Sequence, residues 1–131
     1  MTTSTMAPAP SPEAVEALYA TGHWLYSQAR FTDAQGVFRA LVYVAPEDER
    51  GWLALGACHE AVDEDDAAFD LYAAAASVTS APRCEIARAR ILRRRGDDAE
   101  ARKALDEVAR LAEGHHDHEL RGLVEAERGR P

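Results

Sequence analysis

Residues Gly51–Ala75, GWLALGACHEAVDEDDAAFDLYAAA, read as two short amphipathic helices back to back. Trp52, Leu55 and Gly56 fall on one face of the first helix, and Ala68, Tyr72 and Ala75 on one face of the second. One hairpin cannot bury both stripes by itself, so it requires copies on either side. The chain supplies them. Thirty-four residues earlier, Gly56 becomes Gly22, Ala68 becomes Ala34 and Tyr72 becomes Phe38; thirty-three later, Ala68 becomes Ala101 and Tyr72 becomes Leu105.

Working outward, residues 1–11 are Thr, Ser, Ala and Pro with two Met, a composition expected to form a disordered leader. Ser11 followed by Pro12 signals a capped helix start, and a first helix is expected over about Pro12–Gln28. Thr32 with Gln35 has the spacing of a capping box for a second helix, about Asp33–Val44, which Pro46 stops. Further helices are expected at about Asp48–Val62, Asp65–Thr79, Pro82–Arg95 (ended by Gly96) and Asp98–Ala112. In the last of these, Asp97 with Glu100 forms the cap and Gly114 the closure. A final amphipathic piece, about Asp117–Glu127 with Leu120, Leu123 and Val124, would cover the open end of the stack. The expected fold is therefore all-α: a right-handed α-solenoid of three tetratricopeptide-like hairpins plus a C-terminal capping helix. It forms one domain over 12–128, with repeats at about 15–46, 48–81 and 82–113 and the cap at about 117–127.

The small residues have a packing purpose. Gly22 and Gly56 let the second helix of a hairpin approach the first, and Ala34, Ala68 and Ala101 do so from the facing side. Phe38, Tyr72 and Leu105 fill the space between. Repeat 3 carries Ala89 in place of the glycine.

Composition excludes several function classes. The net charge is −8 with 15 basic and 23 acidic residues, which is unsuited to a phosphate backbone, so no nucleic-acid partner is expected. No stretch approaches the roughly 20 apolar residues that span a bilayer, and the N-terminus lacks the basic and apolar regions of a signal peptide, so no membrane partner and a cytoplasmic location are expected. Cys58 and Cys84 fit reduced thiols inside helices. The acidic run Asp63–Asp66 suits the positive end of a helix dipole and lacks the Gly and closing Glu of a calcium loop. His115, His116 and His118 lack metal-ligand spacing, and His23 has no nucleophile and orienting acid beside it. With no phosphate loop either, neither an enzyme, a cofactor nor a metal is expected.

The segment GHWLYSQARFTDAQGVFRALVYVAPEDERGWLALGACHEAVDEDDAAFDLYAAAA, residues 22–76 (His23 to Ala76 included), resembles the tetratricopeptide class II chaperones of bacterial type III secretion. It carries their Gly and Tyr, then "DA", "VFRAL", a Pro-acidic-Arg turn, "LGAC" and an Ala-Tyr-Ala run; the third hairpin continues the pattern more loosely to about residue 112. The resemblance implies a chaperone that holds a hydrophobic translocator, or a needle subunit, as a peptide segment in a concave groove. It also implies a homodimer as a second partner, although about eleven irregular residues stand here where family members often have a longer helical extension for dimerising.

The first helix of each hairpin would line that groove, at positions between the core residues. The expected partner-binding set is Tyr19, His23 and Tyr26 from repeat 1, Arg50, Leu53 and Ala57 from repeat 2, and Ile86 and Arg90 from repeat 3. An extended or helical peptide could dock there through a few side chains; the alternative is that these residues pack against the leader or the C-terminal helix. The basic run Arg88, Arg90, Arg93–Arg95 fits cations at a helix C-terminus, or contact with an acidic client.

Overall fold

The computed structural model describes residues 9–131. Residues 1–8, most of the expected leader, lie outside the described part. Among the described residues the chain is all helical: α1 (Pro12–Ser27), α2 (Phe31–Val44), α3 (Glu49–Ala61), α4 (Asp65–Val78), α5 (Pro82–Arg94), α6 (Asp98–Gly114) and α7 (His118–Arg128). Each helix packs on the next in sequence.

Side-chain caps form at three helix starts. Ser11 accepts from the Ala14 amide, Asp48 from Arg50 and Asp117 from Leu120. Two expected capping boxes do not form. Helix α2 begins at Phe31, so Thr32 already lies inside its first turn, and neither Arg30 nor Asp97 makes a side-chain cap bond. The turns before these helices share one backbone closure with two others. In α1–α2, α3–α4, α5–α6 and α6–α7 one residue takes a positive φ: Ala29 (58°), Asp63 (61°), Gly96 (83°) and His116 (52°). The next residue's amide donates back five positions, Arg30 to Leu25, Glu64 to His59, Asp97 to Leu92 and Asp117 to Ala112, at 2.8–2.9 Å. This closure satisfies the carbonyls at the end of one helix and launches the next within two residues. Gly114, expected to close α6, is its last helical residue, and His116 takes the left-handed position instead.

The hydrophobic core is a chain of three clusters. Phe38, Leu41, Leu55 and Cys58 form the first, Tyr72, Cys84 and Ile91 anchor the second, and Leu92, Leu105, Val108 and Val124 anchor the third. Both cysteines are free; burial pushes the Cys58 thiol up to about 11 and Cys84 to about 12, so neither is a nucleophile at neutral pH. Leu123, expected on the apolar face of the cap helix, is exposed.

The glycines at the repeat spacing are required by close approach. A Cβ at Gly22 would stand 2.5 Å from Phe38 Cε1, and one at Gly56 would come closer still to the Tyr72 ring. Gly56→Ala is therefore expected to destabilise the chain by about 1–3 kcal/mol through overpacking, despite alanine's better helix propensity. Repeat 3 shows the accommodation, since Ala89 shares a core cluster with the smaller Leu105. Tyr72→Leu added to Gly56→Ala is then expected to cost less than the two single losses summed, read as a coupling in urea melts.

Candidate functional site

The odd-numbered helices touch one another along the stack: α1 meets α3, α3 meets α5, and α5 meets α7. Helices α2, α4 and α6 make no such contacts. Crowding on one side and separation on the other bends the stack, and the odd helices line its inner side.

Between α1, α2 and α3 this side holds a hollow of about 250 Å³. Tyr19, His23 and Tyr26 reach it because they recur one turn apart on α1, and Leu53 and Ala57 do the same on α3. Phe38 forms the floor. The rings are held by their neighbours: Tyr19 lies 6.2 Å from Phe38 and 6.1 Å from His23, and Tyr26 stands edge-on to Phe31 at 5.1 Å. Arg50 is no free cation. Its guanidinium lies 4.9 Å over the Tyr19 ring and bonds Asp48 at 2.8 Å and Glu16 at 2.6 Å. Those hydrogen bonds raise the arginine's pKa and hold both carboxyls below their usual range. Arg50 thus fixes Tyr19 at the mouth of the hollow. A wider hollow of about 650 Å³, to which nothing in the sequence pointed, opens on the far side of this clamp between Val15 and Tyr43.

A second hollow, about 200 Å³, shares Leu53 with the first and continues between α3, α5 and α7. Ile86 and Arg90 line it. Six of the eight expected residues therefore meet in the first hollow and the other two in the second. Ile86 is not on an open face: it is 7% exposed and belongs to the core cluster with Leu120 and Val124, so the cap helix covers that end. Leu123 and Glu127 of α7 form the second hollow's other wall.

The basic run on α5 is engaged inside the chain, mostly by the preceding repeat and the cap. Arg90 and Arg94 both bond Glu60 at 2.7 Å. Arg95 bonds Asp66 and covers the Phe69 ring at 4.4 Å, Arg88 pairs with Glu85, and Arg93 donates to the carbonyls of Glu127 and Arg130. The run is an inter-repeat clamp, a role that the charges alone did not indicate. A signal existed: Glu16–Arg50, Glu49–Arg83 and Glu60–Arg94 are each 34 residues apart, the repeat spacing itself. An acid and an arginine one repeat apart occupy neighbouring positions on adjacent helices. His115, His116 and His118 are exposed at the α6–α7 turn, and the described residues hold no group of three or more His, Cys, Asp or Glu able to take a metal.

No protein-family model matches the chain. Over 96 residues, 72% of its length, it is 33% identical to the low calcium response locus protein H of Yersinia pestis; the matched part is 57% of that protein, so the chain spans little more than half the length of this curated relative. The Yersinia enterocolitica type III secretion translocator chaperone SycD has a similar structure, with a TM-score of 0.77 at 30% identity and 88% of each chain covered. SycD in complex with a peptide of the translocator YopD matches with a TM-score of 0.68 at 28% identity, covering 90% of this chain and 95% of that one.

Proposed function

This chain belongs to the tetratricopeptide class II chaperones of bacterial type III secretion, and from that premise we propose that it binds a hydrophobic translocator through its concave groove and shields it in the cytoplasm before export. The observation that carries the proposal is the aromatic hollow between α1 and α3. Tyr19, Tyr26 and Leu53 are half-buried there around an apolar space that no other described side chain fills. The solved relative SycD in complex with a translocator peptide supports a peptide as the occupant. Groove and client would interact chiefly by apolar burial, with no nucleotide and no chemical step. Each apolar anchor contributes roughly 1.5–3 kcal/mol before ordering costs, so two or three give about micromolar affinity, tight enough to hold and weak enough to release.

The test is co-expression with a translocator encoded by a neighbouring gene. Wild type is expected to keep the translocator in the soluble fraction. Tyr26→Ala and Leu53→Glu are expected to lose most of that protection while retaining wild-type helical circular dichroism. Should both folded variants protect as well as wild type, the groove is not where the client binds. No helix among the described residues is long and apolar enough to cross a membrane.

A further inference from the structure

Glu127, in the last turn of α7, is 2% exposed, and among the described residues neither of its carboxylate oxygens takes a hydrogen bond. Three arginines surround it: Arg130 Nε lies 3.1 Å away, Arg90 3.9 Å and Arg93 4.0 Å. They balance its charge without aligning a donor on it. The two farther arginines have donors committed elsewhere, those of Arg90 to Glu60 and those of Arg93 to two backbone carbonyls, and the nearer Arg130 makes an ion pair without an aligned hydrogen bond. A buried carboxylate left without hydrogen bonds is costly, and such a group calls for a partner.

The surroundings decide what partner fits. Glu127 lines the second hollow, whose apolar walls include Leu53, Ile86 and Leu123 and whose charged rim is Arg83, Arg90 and Arg130. A cationic side chain would meet three guanidiniums, and a carboxylate would meet Glu127. A neutral donor meets neither obstacle. We propose that Glu127 is the polar anchor of a client subsite at the cap end of the groove: it accepts a hydrogen bond from an Asn, Gln, Ser or Thr side chain of the bound peptide, while a neighbouring aliphatic side chain seats between Leu53 and Leu123. The Arg130 side chain, 59% exposed, is the cover that moves aside. This subsite rests on the groove function proposed above.

The full chain, immobilised, is offered a synthetic library of random dodecapeptides, and the bound peptides are sequenced. Wild type is expected to enrich Asn, Gln, Ser or Thr within two positions of an aliphatic residue at least threefold over input. Glu127→Met, which keeps the length of the side chain and removes the carboxylate acceptor, is expected to lose that enrichment and keep the aliphatic one. Arg130→Ala, which uncovers the carboxylate without touching the core, is expected to raise it, and decides the matter if Glu127→Met does not fold. If wild type, Glu127→Met and Arg130→Ala all select the same residues while Leu53→Glu abolishes capture, the groove stands and the Glu127 subsite is overturned, with solvent as the carboxylate's partner. If Leu53→Glu captures as wild type does, or wild type captures nothing, both proposals fall.

Discussion

Tyr72→Ala is expected to lower the stability of the chain by about 3–5 kcal/mol, the cost of removing a fully buried aromatic side chain and leaving its cavity. Tyr72 is the largest side chain with no exposure, and it closes α4 onto α3. The cavity cannot collapse from the other side, because the facing residue is Gly56, which has no side chain to move in. Its hydroxyl also donates to Glu60 Oε2 at 2.6 Å, and burial with that bond raises the phenol's pKa well above the usual value. Tyr72→Phe isolates the hydroxyl and is expected to cost about 1.5–3 kcal/mol, the range for a hydrogen bond to a charged group. Urea melts separate the two: both midpoints fall, Ala further than Phe, at an unchanged slope. Because a repeat stack is stabilised by neighbour contacts, the loss at the central hairpin, which has a hairpin packed on each side, is expected to be larger than that of the matching Phe38→Ala in the first hairpin. Equal midpoints for Tyr72→Ala and wild type would mean that α3 and α4 are held by something other than this ring.

The helical repeat was legible in the sequence because its cause is periodic. Gly22 and Gly56, Phe38 and Tyr72, and Ala34, Ala68 and Ala101 recur every 33 or 34 residues because each hairpin solves the same packing problem, and the period exposes the solution. The faces followed from that: once Trp52 and Gly56 point inward, Leu53 and Ala57 point elsewhere. The helix boundaries were less legible. Thr32 has the right chemistry for a cap, but α2 starts one residue before it, while Asp97 stands at its expected N-cap position without a side-chain bond, and a left-handed Ala or Asp leaves no mark in the sequence as glycine does. The α5 arginines were also obscured. A run of like charges looks like a solvated face until its partners, Glu60 and Asp66 one repeat earlier, are placed in space. The same holds for Ile86: its position between core residues is covered once α7 packs on α5, a contact that the spacing within α5 does not reveal.

Glu60→Ala is expected to cost about 2–4 kcal/mol, since removing one partner of a largely buried ion pair strands the other charges. The Glu60 side chain is 13% exposed and receives three donors: the Tyr72 hydroxyl, Arg90 and Arg94. The four groups join α3, α4 and α5, so one carboxylate ties the central hairpin to the third. Arg90 is the partner left most exposed to loss, because its other acidic neighbour, Glu127, lies 3.9 Å away, beyond hydrogen-bond reach. Arg94 keeps Asp65 at 3.0 Å and sits nearer solvent, so it contributes less. Glu60→Gln preserves an acceptor for Tyr72 and is expected to cost less than Glu60→Ala. Acid provides an independent check. Burial alone would raise the Glu60 pKa, but the bonds from Arg90, Arg94 and Tyr72 outweigh it and hold the carboxyl below the usual carboxylate range. A carboxyl depressed in the folded state contributes stability that is complete above its unfolded pKa and is lost as pH falls through the folded one. The stability gap between wild type and Glu60→Gln is therefore expected to be widest at neutral pH, to begin narrowing below about pH 4.5, near the unfolded carboxyl value, and to continue narrowing as the folded carboxyl protonates. A gap that stays constant from pH 7 down to acid unfolding would show that the charge on Glu60 contributes nothing, and that its place between α3 and α5 is one of shape alone.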